Sequence, residues 1–384
     1  MNFDSDPEDE HFRAETRTFI RSAMAELFPD KMSVNSAART FDRADSQRWA
    51  RCLNAKGLLV PHWPCGQRPA SWRPAWRRIL AEELFASGSP PTDTIGTEMV
   101  GPMLCTFGSE YQKRRYLPAI CSGDHYWCQG FSEPQAGSDV MSLQGTAVRD
   151  RDYYTVNAHK IWTSNAHNAD MMFALLRIQI PGARQQQGVS FLLIDMRSPG
   201  VEVTPIILID GIHRVNEVLL RDVRVPVVNL VGEAGKGWVY ARSLLGNERA
   251  LIAGLGRVRL LIDRLAALAA SSSGLTCSPL IASRISECEI DLLALEFMEL
   301  RLLHAPEDSI DLQLLPPMLK LRASELRQRI TALTVQVLGE SALELPAPGS
   351  YHPVVDYLFE RSATLAGGTS EIQKNIIAGV ALKL

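Results

Sequence analysis

The chain has 384 residues, 46% of them hydrophobic, with a net charge of -3 and a pI near 6.3, enough apolar material for two or three packed layers whose core needs no disulfide support. Such a balance offers no basic stripe for a nucleic acid, and no segment is apolar over a membrane-spanning length. The first ten residues hold five acidic side chains and no signal or anchor, and seven cysteines include no C-x-x-C pair, against a disulfide framework or a zinc site; the expectation is a protein of the reducing cytoplasm with no metal, nucleic-acid or membrane partner.

From His11 to about Pro118 apolar residues recur at helical spacing, as in Phe12, Phe19, Ile20, Met24 and Leu27, with Pro/Gly-rich breaks at 61-69 and 88-102. This predicts an N-terminal helical domain over 1-119. Between 120 and 235 the pattern changes to short apolar runs separated by turn residues, Met171–Ile178, Val189–Met196, Val201–Ile207 and Val218–Val227, which predicts a β domain. Residues 236-384 then hold long periodic stretches, Trp238–Ala270, Leu280–Leu303 and Leu312–Leu338, which fit a helical bundle. The class is α+β, ordered helices, strands, helices. There is no internal repeat.

Two segments of the β domain concentrate groups suited to a ligand. In the stretch Gln129-Gly130-Phe131-Ser132-Glu133-Pro134-Gln135-Ala136-Gly137-Ser138-Asp139, small residues and hydroxyls stand together, so backbone N–H groups can approach a ligand closely; the same composition also makes an ordinary turn. Trp162-Thr163-Ser164 adds an aromatic and two hydroxyls that could line a flat heteroaromatic ring, although a lone Trp in a strand is more often core.

In order and spacing these segments resemble the acyl-CoA dehydrogenase family. So do Phe107-Gly108-Ser109-Glu110-Tyr111-Gln112-Lys113, Asp222-Val223-Arg224-Val225-Pro226, Gly232-Glu233, Glu248-Arg249 and Gly368-Thr369-Ser370-Glu371-Ile372-Gln373. The resemblance implies that family's fold, with an N-terminal helical domain, a barrel-like middle β domain and a C-terminal four-helix bundle. It implies FAD, held by residues matching Gln129, Phe131, Ser132, Gly137, Ser138, Trp162, Thr163, Ser164, Thr369 and Glu371, with Ser132 and Ser164 hydrogen-bonding the flavin ring. It also implies removal of the pro-R α-proton and a β-hydride from an acyl-CoA to give a trans-2-enoyl-CoA, with an electron-transferring flavoprotein as acceptor. Ser138 and Arg249 would face the substrate.

A thioester α-proton needs a carboxylate base lifted by desolvation. One family position for it falls here on Gly367, which takes no proton; the other, in a Glu-Arg pair of the first long C-terminal helix, falls on Glu248, the predicted base. Leu244, Glu248, Leu251, Leu255 and Val258 share one helical face, which sets this carboxylate in an apolar stripe. Read without the family, a buried Glu paired with an Arg, or a Glu at the edge of the stripe reaching water, is the commoner arrangement.

The family's homotetramers complete each FAD site with an Arg and a Phe from a neighbouring subunit. Here Ser273 and Thr276 stand at those positions, and Gln336-Val337-Leu338-Gly339-Glu340 replaces a Gln-x-x-Gly-Gly turn. A bidentate cation for the pyrophosphate is therefore missing. That pattern resembles the base-carrying subunit of α2β2 heterotetrameric enzymes of steroid side-chain breakdown, with a paralogous partner supplying the other half. The rival expectations are a homotetramer in which Arg284, or Arg257 and Arg259, takes over, a non-catalytic flavin-site subunit, and a flavin oxidase or monooxygenase on the same fold.

Overall fold

The computed structural model describes residues 6–33, 39–64, 72–179, 188–241, 253–271, 279–306, 308–344 and 352–383. In chain order the helices are α1 (Pro7–Leu27), α2 (Arg43–Ala55), α3 (Pro74–Ser87), α4 (Gly101–Phe107), α5 (Glu110–Cys121), α6 (Leu255–Ser271), α7 (Pro279–Leu303), α8 (Asp311–Leu338), α9 (Pro353–Glu360) and α10 (Ser370–Leu382). Between α5 and α6 run β1 (Trp127–Gly130), β2 (Thr146–Asp150), β3 (Tyr153–Ser164), β4 (Met171–Ile178), β5 (Val189–Asp195), β6 (Val201–Ile207), β7 (His213–Pro226) and β8 (Leu230–Val231). The chain forms two compact units, Met1–Thr40 with Ala70–Pro90 and Gly246–Leu384, and Phe41–Pro69 with Pro91–Leu245.

In the second unit all eight strands join one mixed sheet, ordered β6-β7-β3-β2-β4-β5-β8, with β1 paired parallel to β4. Its central strands β4 and β5 are buried on both faces, which is why they read as unbroken apolar runs. Successive side chains of β4 enter two different cores. Met171, Phe173 and Leu175 pack with Phe191, Trp127 and the α4–α5 residues Met103, Leu104, Tyr116 and Ile120, whereas Met172, Ala174 and Leu176 pack with Val156, Val218, Leu220 and Val223. Each large apolar side chain so buried contributes roughly 1.5–3 kcal/mol. The start of α5 is fixed by a reciprocal capping box between Ser109 and Gln112, and Gln112 Nε2 also donates to the carbonyls of Val228 (2.7 Å) and Leu230 (2.9 Å), tying the helix to β8.

The first unit is helical. α6, α7 and α8 share a core of Leu255, Val258, Ile262, Leu265, Cys288, Leu292, Leu295, Ala323 and Ile330. Arg301 makes a two-pronged contact with Asp311 (2.7 and 2.7 Å), closing the α7–α8 turn. α1 is joined to α3 by Glu83, which accepts from Arg17 (2.8 and 2.8 Å) and Arg13 (3.2 Å). Burial raises the Glu83 carboxyl, but the two guanidiniums outweigh it and hold it below the usual range. The N-terminal helices are thus shared out, α1 and α3 to the helical unit, α2, α4 and α5 to the sheet unit.

Among the described residues no helix is long and apolar enough to cross a membrane and no cluster of side chains could hold a metal ion. Cysteines 52, 121, 128 and 288 are free, but Cys105 is disulfide-bonded, against the expectation of thiols throughout.

Candidate functional site

The two ligand-suited segments of the sequence meet in the sheet unit. β1 carries Gln129 to the edge of the core and ends at Gly130, where a Cβ would lie 2.5 Å from the Met172 sulfur, so only glycine passes. Phe131 then packs on Phe173 and Phe191, with ring centroids 5.2 and 5.5 Å away. The Ser132 carbonyl accepts from the Ile161 N–H (3.0 Å), which draws the loop directly against β3 beside Trp162. Glu133 and Ala136 exchange two backbone hydrogen bonds (3.0 and 2.9 Å) around Pro134-Gln135, and beyond this tight turn Gly137 and Ser138 are exposed.

A buried ion pair holds loop and strand together. Lys160 Nζ, with no exposed surface, donates to Glu133 Oε1 (2.8 Å) and the Leu175 carbonyl (2.7 Å). Glu133 also accepts from the Gln144 N–H (2.6 Å), the Gly145 N–H (3.0 Å) and Gln135 Nε2 (3.0 Å). Burial raises its carboxyl, but Lys160 and the two backbone donors prevail and keep it below the usual range, while burial lowers the Lys160 ammonium against the pull of Glu133. Gly145 is needed here, since a Cβ would stand 2.6 Å from Glu133 Oε1.

On β3 the pairing with β7 shifts register between Lys160 and Thr163. Trp162 sits in that bulge at φ +60°, a left-handed conformation that costs a non-glycine residue about 1–3 kcal/mol. Its indole is 58% exposed and Ser164 is exposed, whereas Thr163 turns inward, 1% exposed, with no partner for its hydroxyl. The exposed face therefore offers an indole, the Ser164 hydroxyl and the half-buried Ser132, and these fit one side of a flat heteroaromatic ring. The Thr163 hydroxyl, expected beside the ring, is turned away from that face.

Thr369 and Glu371 belong to the helical unit. Thr369 caps α10 by accepting from the Ile372 N–H (3.2 Å), and Glu371 is exposed in the first turn, its carboxyl lowered by backbone and Thr369 hydrogen bonds. Before them Gly367 and Gly368 adopt φ +63° and +87°, and Gln373 Nε2 donates to both carbonyls (3.1 and 3.1 Å). Fully buried Lys320 donates to the Gly368 carbonyl (2.6 Å), and burial brings its ammonium down to about 8. Glu248, Arg249, Ser273 and Thr276 lie outside the described residues; of the stripe that carries Glu248, Leu255 and Val258 are core residues of α6.

The sequence reading passed over Lys160, His167, His213 and Asn216. Lys160, His167 and Asn216 act through pairings between distant positions, as Glu133 with Lys160 and both Thr163 and His167 with Asn216, which no local pattern displays; His213 meets Asn216 three residues along β7.

Comparison with known proteins agrees with this architecture. Residues 6–124, 128–223 and 235–382 match the N-terminal, middle and C-terminal domains of acyl-CoA dehydrogenases. The acyl-CoA dehydrogenase IpdE1 of Mycobacterium tuberculosis is 32% identical over 96% of this chain and 96% of its own. FadE29 of the same organism is 32% identical over 100% of this chain and 99% of its own. The ChsE4-ChsE5 complex of Mycobacterium tuberculosis contains a chain similar at a TM-score of 0.84 and 26% identity, covering 100% of this chain and 99% of that one. The chain belongs to the acyl-CoA dehydrogenase family. It is an oxidoreductase acting on acyl-CoA, in a family of flavoproteins whose cofactor is FAD.

Proposed function

We propose that this chain is the base-carrying subunit of a heteromeric acyl-CoA dehydrogenase, in which Glu248 removes the α-proton and the Ser132 and Trp162–Ser164 face receives the flavin ring. The observation that carries the ring-side reading is the outward indole of Trp162, held at φ +60° in a bulge bonded directly to the Ser132 loop. FAD, when bound, supplies the acceptor for the β-hydride. The chain's own residues orient and exclude water: Phe131 closes the base of the loop against Phe173 and Phe191, Ser132 and Ser164 offer hydrogen bonds, and Gln129, Gly137 and Ser138 bring backbone close, with Ser138 and Arg249 toward the acyl-CoA.

A paralogous partner is supported by what the remaining cations do. Arg257 is paired with Glu360 (2.7 Å) and Asp356 (3.1 Å) and Arg259 with Glu296 (2.6 Å), so neither is an uncompensated cation that could replace the one missing at Ser273; exposed Arg284 is held by the neutral Gln336 side chain (3.0 Å). Ile290 and Leu293 on α7 are more than half exposed, apolar surface that a second subunit would cover. The similarity to the ChsE4-ChsE5 complex supports two unlike chains, and that to a chain of the Tcur3481-Tcur3483 steroid ACAD, at 25% identity and a TM-score of 0.85, supports a bulky, steroid-derived acyl group. Thr369 and Glu371 are further proposed cofactor residues. An electron-transferring flavoprotein is the proposed acceptor, the cytoplasm the proposed compartment, and 1-119, 120-235 and 236-384 the proposed domains.

Removing a general base costs roughly 10²–10⁴-fold. Glu248→Gln in the assembled complex is therefore expected to lower turnover by that order while the flavin spectrum stays native. Unchanged turnover would make this chain a non-catalytic subunit.

A further inference from the structure

Behind the exposed face of β3 lies a side-chain cluster with no part in the reaction described above. Asn216, fully buried on β7, donates from Nδ2 to the Thr163 carbonyl (3.0 Å). A carbonyl only accepts, so this bond fixes which end of the amide is nitrogen. Asn216 Oδ1 then accepts from His213 Nε2 (2.7 Å), and His167 Nδ1 lies within hydrogen-bonding distance of both the amide nitrogen (3.2 Å) and Oδ1 (3.3 Å), as acceptor or donor according to its tautomer. The two imidazoles lie against each other, centroids 4.0 Å apart. Burial first, and His213 second, hold His167 below the usual imidazole range, against the opposing hydrogen bond to Asn216. Every polar atom of the amide is thereby used.

The residues this amide holds are the ones that need holding. Trp162 at φ +60° and Asn165 at φ +55° flank Thr163-Ser164, and left-handed non-glycine residues persist only where their surroundings over-determine them. The Asn165 N–H donates to the Arg214 carbonyl (2.9 Å), so β7 grips the bulge at two points, and Asn216 is the side-chain one.

We propose that Asn216, seated between His167 and His213, is a positioning residue of the cofactor site: by holding the Thr163 carbonyl it keeps the Trp162 indole and the Ser164 hydroxyl turned outward together. The claim rests on the reading of that face as the flavin cradle. It makes the His167 ring a hydrogen-bond partner of the Asn216 amide, a role that an asparagine side chain can also fill and a phenylalanine cannot.

The test measures amide hydrogen exchange over residues 161–166 in the flavin-free chain, and the visible flavin band in the assembled complex, for Asn216→Ala, His167→Phe, His167→Asn and the Asn216→Ala/His167→Phe double variant. Asn216→Ala is expected to speed exchange about tenfold, as the loss of one hydrogen bond would, and to shift the flavin band. The double variant should go little further, and His167→Asn should stay near native where His167→Phe does not. Native exchange in Asn216→Ala, additive effects in the double variant, or equal damage from both His167 replacements would overturn the clamp. Because His167 is exposed, its variants keep the test decisive if Asn216→Ala does not fold. Faster exchange with an unshifted flavin band would instead overturn the cradle reading, and the cofactor half of the proposal with it.

Discussion

Lys160 and Glu133 set the terms of the site at the scale of single residues. Neither side chain reaches solvent, and each satisfies the other's charge across 27 residues of sequence, so the loop and the strand that frame the exposed face are one electrostatic object. Removing one member of such a pair leaves the other charge buried and unpaired, which costs about 3–5 kcal/mol, whereas replacing both with apolar groups of similar volume is often neutral. Glu133→Gln is expected to lose that amount in chemical denaturation, and Glu133→Leu with Lys160→Met to recover most of it. Equal losses in single and double variants would mean the pair does not hold the loop. Little of this was legible beforehand: Glu133 was visible as part of a turn-rich stretch, but its partner was one lysine in a polar run, and only strand pairing brings them together.

At the scale of elements, legibility followed how each element is buried. β4 and β5 were visible because both faces are covered, and α7 and α8 because their apolar stripes are long. β2 and β3 were not, because their burial alternates and the bulge at Trp162 breaks the period, with Trp162 and Ser164 out and Thr163 in. The same blindness hides titration on α7. There Glu299 is half-buried, with Oε2 shielded from solvent and without a hydrogen-bond partner, and desolvation lifts its carboxyl to about 7 against the pull of Arg78 on α3, with Glu82 and Glu296 adding to the rise and Arg77 opposing it. A folded-state value raised above the unfolded one means that the native state holds its proton more tightly. The contribution is complete below about pH 4.5 and lost as pH climbs through 7, on the order of 3 kcal/mol over that span. Glu299→Gln, which cannot ionise, should flatten the fall in unfolding free energy between pH 5 and 7. An identical slope in variant and parent would show that Glu299 titrates as an ordinary carboxylate.

For the whole molecule, the order helices, strands, helices was legible, and so was the family. The sharing of the N-terminal helices between two units was not, because which helix a stripe packs against is a long-range fact; α1 is committed to α3 by Arg13, Arg17 and Glu83 rather than by its own pattern. The central claim is that one half of a cofactor site is built here and the other half is not. On this side stand a loop tied down by a buried ion pair, a left-handed bulge and an exposed Trp162; on the other, Arg257 and Arg259 are already paired with Glu360, Asp356 and Glu296. The measurement that tests this most directly is flavin absorbance per chain, taken on the chain purified alone and again with its closest paralogue. The account predicts weak, substoichiometric flavin in the lone chain and one tightly held FAD per pair of unlike chains in the complex. One tightly held FAD per chain in the lone protein would contradict it.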